Sequence, residues 1–358
     1  MSADNAAEMS SGMVARLSAQ AAAAWRGLLV CTLIAAAAAF VSGHYGGPVV
    51  LYALLMGLAC TFLRDDVRLK PGLDMASRFV LRLGVALLGA RVAAGQVAEL
   101  GAGTLVVVVC AMAFTFLVSV PLARLLGFGR DFALLAATAT AVCGVSAALT
   151  AASILPKRPG SERDTAFVAL GVTLLSTVAM IAYPLLTAGI FEEFATRGVF
   201  LGATIHDVAQ VVGAGDLLRQ AAEDAAVGEG ALAAAVLTKL ARVALLVPVS
   251  ICLAVYAASA MGAQGGLWRK VRRALTLPWF LIVFVVLAFL NGSHLLPAGT
   301  GDALSPASRA CLVVAITAIG IKTGVRQMVD MGWRATLLLV GLTLAIALAT
   351  GAGLIVRG

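Results

Sequence analysis

Charge is scarce in this sequence. Only 12% of its 358 residues are charged and 61% are hydrophobic. A soluble chain carries about 25% charged residues, so an ordinary water-soluble domain is excluded. Histidine is scarcer still. His44, His206 and His294 are all there are, which argues against a multi-histidine metal centre. The six cysteines all fall inside apolar runs, so no disulfide framework and no Cys-x-x-Cys metal site is expected. Gly-x-Ser-x-Gly, His-Glu-x-x-His and Walker-type phosphate loops are absent, and with them the usual signatures of an enzyme or an ATP-driven pump. No cofactor is called for. The net charge of +8 is explained by basic loops beside a membrane, without a nucleic-acid partner.

What the chain does have is apolar length. Runs lie at 27–43, 47–63, 76–93, 102–124, 132–155, 165–189, 196–213, 231–259, 275–292, 306–325 and 335–356, eleven in all. Most approach the ~20 residues that cross a bilayer core as a helix. Backbone groups in lipid must bond within their own segment, and alternation of the barrel kind is missing, so the runs are helices. The expectation is an all-α polytopic membrane protein. Residues 1–26 form a cytoplasmic N-terminal tail containing Arg16 and Arg26, and 27–358 form a single transmembrane domain. The first run is long and soon followed by a second, so it reads as a span and not as a cleaved signal. Trp25, Trp268, Trp279 and Trp333 stand at or near segment ends, where the headgroup zone favours them.

Basic loops orient the chain. Arg64, Arg68 and Lys70, then Arg124 and Arg130, then Arg269 to Arg273, then Arg326 and Arg334 all fall on one side if the N-terminus is cytoplasmic and the C-terminus outside. Lys157, Arg158 and Arg163 would then face the wrong way, unless 132–155 and 196–213 are each broken or re-entrant. A repeat fits the same picture. Residues 76–101 align with 307–332 with 7 identities in 26 positions, among them Gly89 with Gly320, Gln96 with Gln327 and Gly101 with Gly332; Arg91 meets Lys322 and Glu99 meets Asp330. With that topology the two copies enter from opposite sides. Inverted repeats of this kind recur in secondary transporters, with the site near the midplane.

The two suspect segments carry polar residues at their centres. In 132–155 these are Thr138, Thr140, Cys143, Gly144, Ser146 and Thr150; in 196–213 they are Gly202, Thr204, His206, Asp207 and Gln210. A helix that opens at glycine exposes backbone N–H groups backed by a positive dipole end, a ready anion site. Thr140, Cys143, Gly144, Ser146, Thr204, His206 and Gln210 are therefore the candidate substrate-binding residues. For Thr138 and Thr150 a bond back to the same helix is the better account. His206 and Asp207, ionisable inside an apolar segment, are candidates for coupling transport to a proton or a sodium ion. Arg91, Lys239 and Lys322 are candidate electrostatic guides. Lys239 and Arg242 lie inside an apolar run without an acid beside them.

The run Leu83 to Arg91, Val142-Cys143-Gly144, Thr204-Ile-His206-Asp207-Val-Ala-Gln210-Val, Pro278-Trp279-Phe280 and Ala318 to Thr323 together resemble the YeiH-like family of bacteria, nominally sulfate exporters. The resemblance runs from about residue 27 to 356. It implies a multi-pass protein of the bacterial inner membrane, distantly akin to bile-acid-symporter folds, with a small anion as substrate. Aspartate at 207, where that family usually has glutamate, departs from the pattern. A carrier for an organic acid or sulfonate, or an anion channel, is the alternative. Beyond the lipid bilayer and the anion no partner is implied, and a homo-oligomer stays open.

Overall fold

The computed structural model describes residues 3–46, 48–91, 101–261, 279–293, 295, 297, 299–323 and 332–357; side chains of 3–22, 91, 260–261 and 281 are outside the description. Every regular element among them is helical. In chain order these are α1 (Ala3–Tyr45), α2 (Val49–Ala59), α3 (Lys70–Met75), α4 (Leu81–Leu88), α5 (Gly101–Leu125), α6 (Arg130–Ala141), α7 (Val145–Ile154), α8 (Ser161–Ala188), α9 (Phe194–Thr204), α10 (Val208–Ala221), α11 (Ala225–Ala244), α12 (Leu246–Met261), α13 (Trp279–Gly292), α14 (Thr300–Lys322) and α15 (Trp333–Arg357). Short helical turns at Thr61–Asp65, Ala76–Val80 and Gly89–Arg91 complete the set.

Among the described residues six helices are long and apolar enough to cross a membrane: 23–45, 101–125, 161–188, 225–259, 300–322 and 333–357. That is fewer than the eleven apolar runs. The runs at 132–155 and 196–213 are each split into two half-length helices, and those at 47–63 and 76–93 into short helices and turns. The chain packs as two compact units, one of residues 1–85 with 305–323 and one of 86–304 with 324–358.

In the first unit, glycines let backbones touch. A β-carbon on Gly27 or Gly72 would strike the opposite backbone of α3 or α1, and one on Gly57 or Gly320 would strike that of α14 or α2. Such small-residue contacts are how helices associate where lipid supplies no hydrophobic drive. Lys322 closes this unit with an ion pair to Asp74 at 2.5 Å and a bond to Ser77 at 3.0 Å.

The second unit is framed by α5 and α15, each 25 residues and therefore about 37 Å long. They run antiparallel. Arg357, at the end of α15, donates to Thr104 near the start of α5, and Arg334, at the start of α15, lies against Gly127 beyond the end of α5. Gly101 and Gly332, which align in the sequence repeat, both take positive φ, 63° and 77°. In each case the left-handed residue stands where a long helix begins, a conformation that glycine adopts without strain. The remainder of the aligned stretch at 92–100 and 324–331, with Gln96, Glu99, Gln327 and Asp330, is outside the described residues, as are Trp268, the basic loop Arg269 to Arg273, and His294.

The split segments are hairpins. At the base of the first, Asp131 in the first turn of α6 pairs with Arg158, just past α7, at 2.9 Å. Phe132, Ile154 and Leu155 share one apolar cluster with Val168 of α8, Ala254 of α12 and Leu338 of α15. The chain thus enters and leaves at the same end. Twelve residues in α6 reach about 18 Å, roughly half of a hydrocarbon core. The second hairpin is read off its contacts with α11. Gly198 and Gly202 of α9 lie on Ala231 and Ala235, while Gly215 and Arg219 of the returning α10 lie on Leu232 and Gly228. Its base meets the far end of the unit, where Phe200 touches Gly351 of α15 and the Tyr183 ring of α8, 5.6 Å away. The two hairpins therefore enter from opposite ends, and α8 runs from one base to the other. The loop of Lys157, Arg158 and Arg163 returns to the end that carries Arg124, Arg130 and Arg334, as charge alone required of a re-entrant 132–155.

Candidate functional site

The two hairpin tips, 142–144 and 205–207, touch. Gly144 caps α7 with φ 67° and ψ −123°, a conformation that side chains strain against. A β-carbon there would lie 3.7 Å from His206 O and 3.8 Å from the Asp207 carboxylate. The second tip opens with ordinary backbone angles and is closed by Asp207, whose carboxylate accepts from the Ala209 N–H at 3.3 Å. An N-cap of this kind supplies one of the four acceptors that a helix start lacks.

His206 is fully buried between the hairpins and α15. Its Nδ1 lies 3.1 Å from Thr140 O and its Nε2 2.9 Å from Thr343 Oγ1. Thr343 also donates to Leu339 O at 2.8 Å. A carbonyl can only accept, so a neutral ring that donates to Thr140 makes both contacts only if the Thr343 hydroxyl leaves Leu339 and turns to the ring.

Beneath the tips lie two buried cations. Lys239 and Arg242, both 0% exposed, project from α11. Lys239 Nζ donates to Val142 O at 2.8 Å and to Ile205 O at 2.9 Å, one carbonyl from each tip. Arg242 donates to Thr140 O, Ala141 O, Gly202 O and Ile205 O at 2.7–3.2 Å. These are the orphan carbonyls at the C-terminal ends of α6 and α9, where the helix dipole is negative. The cations neutralise that end of each hairpin and leave the N-terminal ends of α7 and α10 as the open, positive side. Ser146 is exposed there and Asp207 half-buried.

The expected residues are thus brought to one place in part. Gly144, Cys143, His206 and Asp207 meet at the tips, and Ser146 lies at their mouth. Thr140 contributes its carbonyl to His206 and Arg242, while its buried hydroxyl has no partner among the described residues. Gln210, one turn into α10, donates to Thr177 at 3.5 Å and leaves its buried Oε1 unpartnered among them. Thr204 does not join the set: its hydroxyl turns back to Phe200 O at 2.6 Å. Thr138 and Thr150 bond back to their own helices, as expected. Lys239 reaches the tips, where it donates to the Val142 and Ile205 carbonyls. Lys322 is ion-paired in the other unit, and Arg91 ends a short helical turn with its side chain outside the description. Three contributors went unforeseen: Ser176, which accepts from Asp207 N at 3.1 Å, then Thr177 and Thr343. Among the described residues no group of His, Cys, Asp and Glu could hold a metal ion.

Long apolar helices enclosing two half-length hairpins, opposed tip to tip, define a polytopic helical membrane protein whose polar centre is built from interrupted helices. The chain belongs to the family described as Conserved hypothetical protein 698, whose model matches residues 26–339. It is 46% identical over 340 residues to the UPF0324 membrane protein TauZ of Paracoccus pantotrophus, covering 94% of this chain and 96% of that one. A UPF0324 membrane protein of Rhizobium meliloti is 41% identical, with 93% of each chain covered, and one of Chlorobaculum tepidum is 38% identical, with 90% and 86% covered. These names speak of membrane proteins and specify no substrate; the sulfate-exporter label is in none of them.

Proposed function

We propose that this protein is a secondary carrier for a small inorganic anion, bound where the two hairpin tips meet and coupled to a proton or a sodium ion through Asp207 and His206. The contact of two opposed hairpin tips carries the reading. It places two positive helix ends, the Ser146 hydroxyl and a carboxyl group that can change its charge at one point, roughly midway along a bundle of spanning length. Sulfate export comes from the sequence resemblance, and the bacterial inner membrane with it.

Two further features support the reading. Arg124, Arg130, Lys157, Arg158, Arg163 and Arg334 gather at the end where the first hairpin enters; by the positive-inside rule that end is cytoplasmic and α15 finishes outside. Antiparallel packing of α5 and α15 also fits an inverted repeat. Shifting by 231 positions carries Gly103 onto Arg334 and Leu126 onto Arg357. The contact of Gly103 with Arg357 is thereby matched by that of Gly127 with Arg334, one residue away. A two-fold relation requires contacts to be reciprocal in this way.

Radiolabelled sulfate flux into proteoliposomes, with and without proton and sodium gradients, tests substrate and coupling together. Saturable, gradient-driven uptake is expected. Its absence for sulfate would remove that substrate, competition by organic sulfonates would name another, and uncoupled flux far above carrier rates would mark a channel. His206→Ala is expected to insert normally and to lose coupled flux; wild-type flux would leave His206 a packing residue.

A further inference from the structure

In carriers built from interrupted helices, the unwound carbonyls and C-terminal helix ends coordinate the driving cation. Here those oxygens already have an occupant. Five carbonyls from the last turns of α6 and α9 and the tips, those of Thr140, Ala141, Val142, Gly202 and Ile205, converge on Lys239 and Arg242. The Lys239 ammonium stands between Val142 O and Ile205 O, one from each hairpin, at the bond lengths of charge-assisted hydrogen bonds. An alkali ion would need the same lone pairs, in a space lined by a second fixed positive charge only one helical turn away. Neither cation is exposed, so neither is a surface charge that happens to swing inward. Burying the pair costs desolvation, and the carbonyls that both side chains meet offset it.

We infer that Lys239 and Arg242 are a tethered substitute for a coupling sodium ion, so that this site binds anions without sodium. Lys239 is the specificity-determining member, since it alone bridges the tips with a compact monovalent charge. Arg242 positions it by holding the carbonyls of both α6 and α9. The inference deepens the carrier reading above and rests on it for the flux arm of its test alone.

The purified protein in detergent is melted in sodium chloride and in choline chloride of equal ionic strength. The wild type is expected to melt at the same temperature in both. Lys239→Ala, which frees Val142 O, leaves Ile205 O to Arg242 alone and opens a space of ammonium size, is expected to melt lower in choline and to regain part of the loss as sodium rises. Lys239→Gln, which keeps bulk and an N–H donor, serves where the alanine variant does not fold. A saturable rise of the wild-type melting temperature with sodium overturns the inference. So does wild-type anion flux that stops when choline replaces sodium; flux unchanged by the replacement supports it. Absence of flux for every anion sinks the carrier reading, and the melting comparison still decides the sodium question.

Discussion

The two hairpins share one geometry and divide the chemistry unequally. Both are half-length helix pairs, both present orphan carbonyls to Lys239 and Arg242, and both begin a new helix at the contact. The first tip is Val142-Cys143-Gly144, without an ionisable acid or base of the ordinary kind, and is held by backbone conformation. The second is Ile205-His206-Asp207, opened at ordinary backbone angles and held by the His206 ring against Thr343 of α15 and by the Asp207 N–H, which donates to Ser176 of α8. What differs is the means of breaking a helix: glycine geometry in one, a capping carboxylate in the other. An anion arriving at the contact would find backbone donors on one side and groups that change charge on the other.

That contrast can be tested by substitution. The largest effect is expected where the hairpins are alike. Arg242→Ala leaves four carbonyls of both hairpins short of a donor at once, and is expected to cost at least ~3 kcal/mol, read as a lower melting temperature in detergent. A loss confined to one hairpin, seen as protease cleavage at that hairpin alone, would break the symmetry just described. Gly144→Ala is next. The added methyl meets no clash nearer than 3.7 Å, so its expected cost of about 1–3 kcal/mol is conformational. A neutral outcome would show that the first tip is not held by glycine.

Asp207→Asn keeps an N-cap oxygen and is expected to cost less than ~1 kcal/mol, with Asp207→Ala losing about 1 kcal/mol more. Flux through the Asn variant is expected to lose its dependence on a proton gradient; retained coupling would move that role elsewhere. Thr150→Ala is the smallest. Its hydroxyl bonds only back to Ser146 O, so stability within ~0.5 kcal/mol of wild type and unchanged flux are expected.

The sequence was informative where a feature broke a local rule. Glycine and polar residues in the middle of 132–155 and 196–213 spoil ordinary spans, and the misplaced charges of Lys157, Arg158 and Arg163 pointed to a chain that returns. Asp207 and His206 stood out because ionisable groups are rare in such runs. Ser176, Thr177 and Thr343 gave no such signal. Serine and threonine in apolar helices ordinarily bond to the preceding turn, as Thr173 and Thr177 do, and only the fold shows whose remaining lone pair is used. Arg242 was visible as a charge in an apolar run, but its partners are carbonyls, which leave no mark in a sequence. Thr204 misled for the converse reason. It sits beside His206 in the chain and turns its hydroxyl away.

The bond between His206 and Thr343 also has a meaning in time. The partners are 137 residues apart, and at ribosomal rates about 7–27 s separate their synthesis. Until α15 arrives, the imidazole on the second tip has no Thr343 to meet, although both hairpins and their cations have already been made. The polar centre is therefore completed only once α15 has been synthesised. A nascent chain halted before that point would carry both hairpins and their cations with the His206 ring still lacking its Thr343 partner.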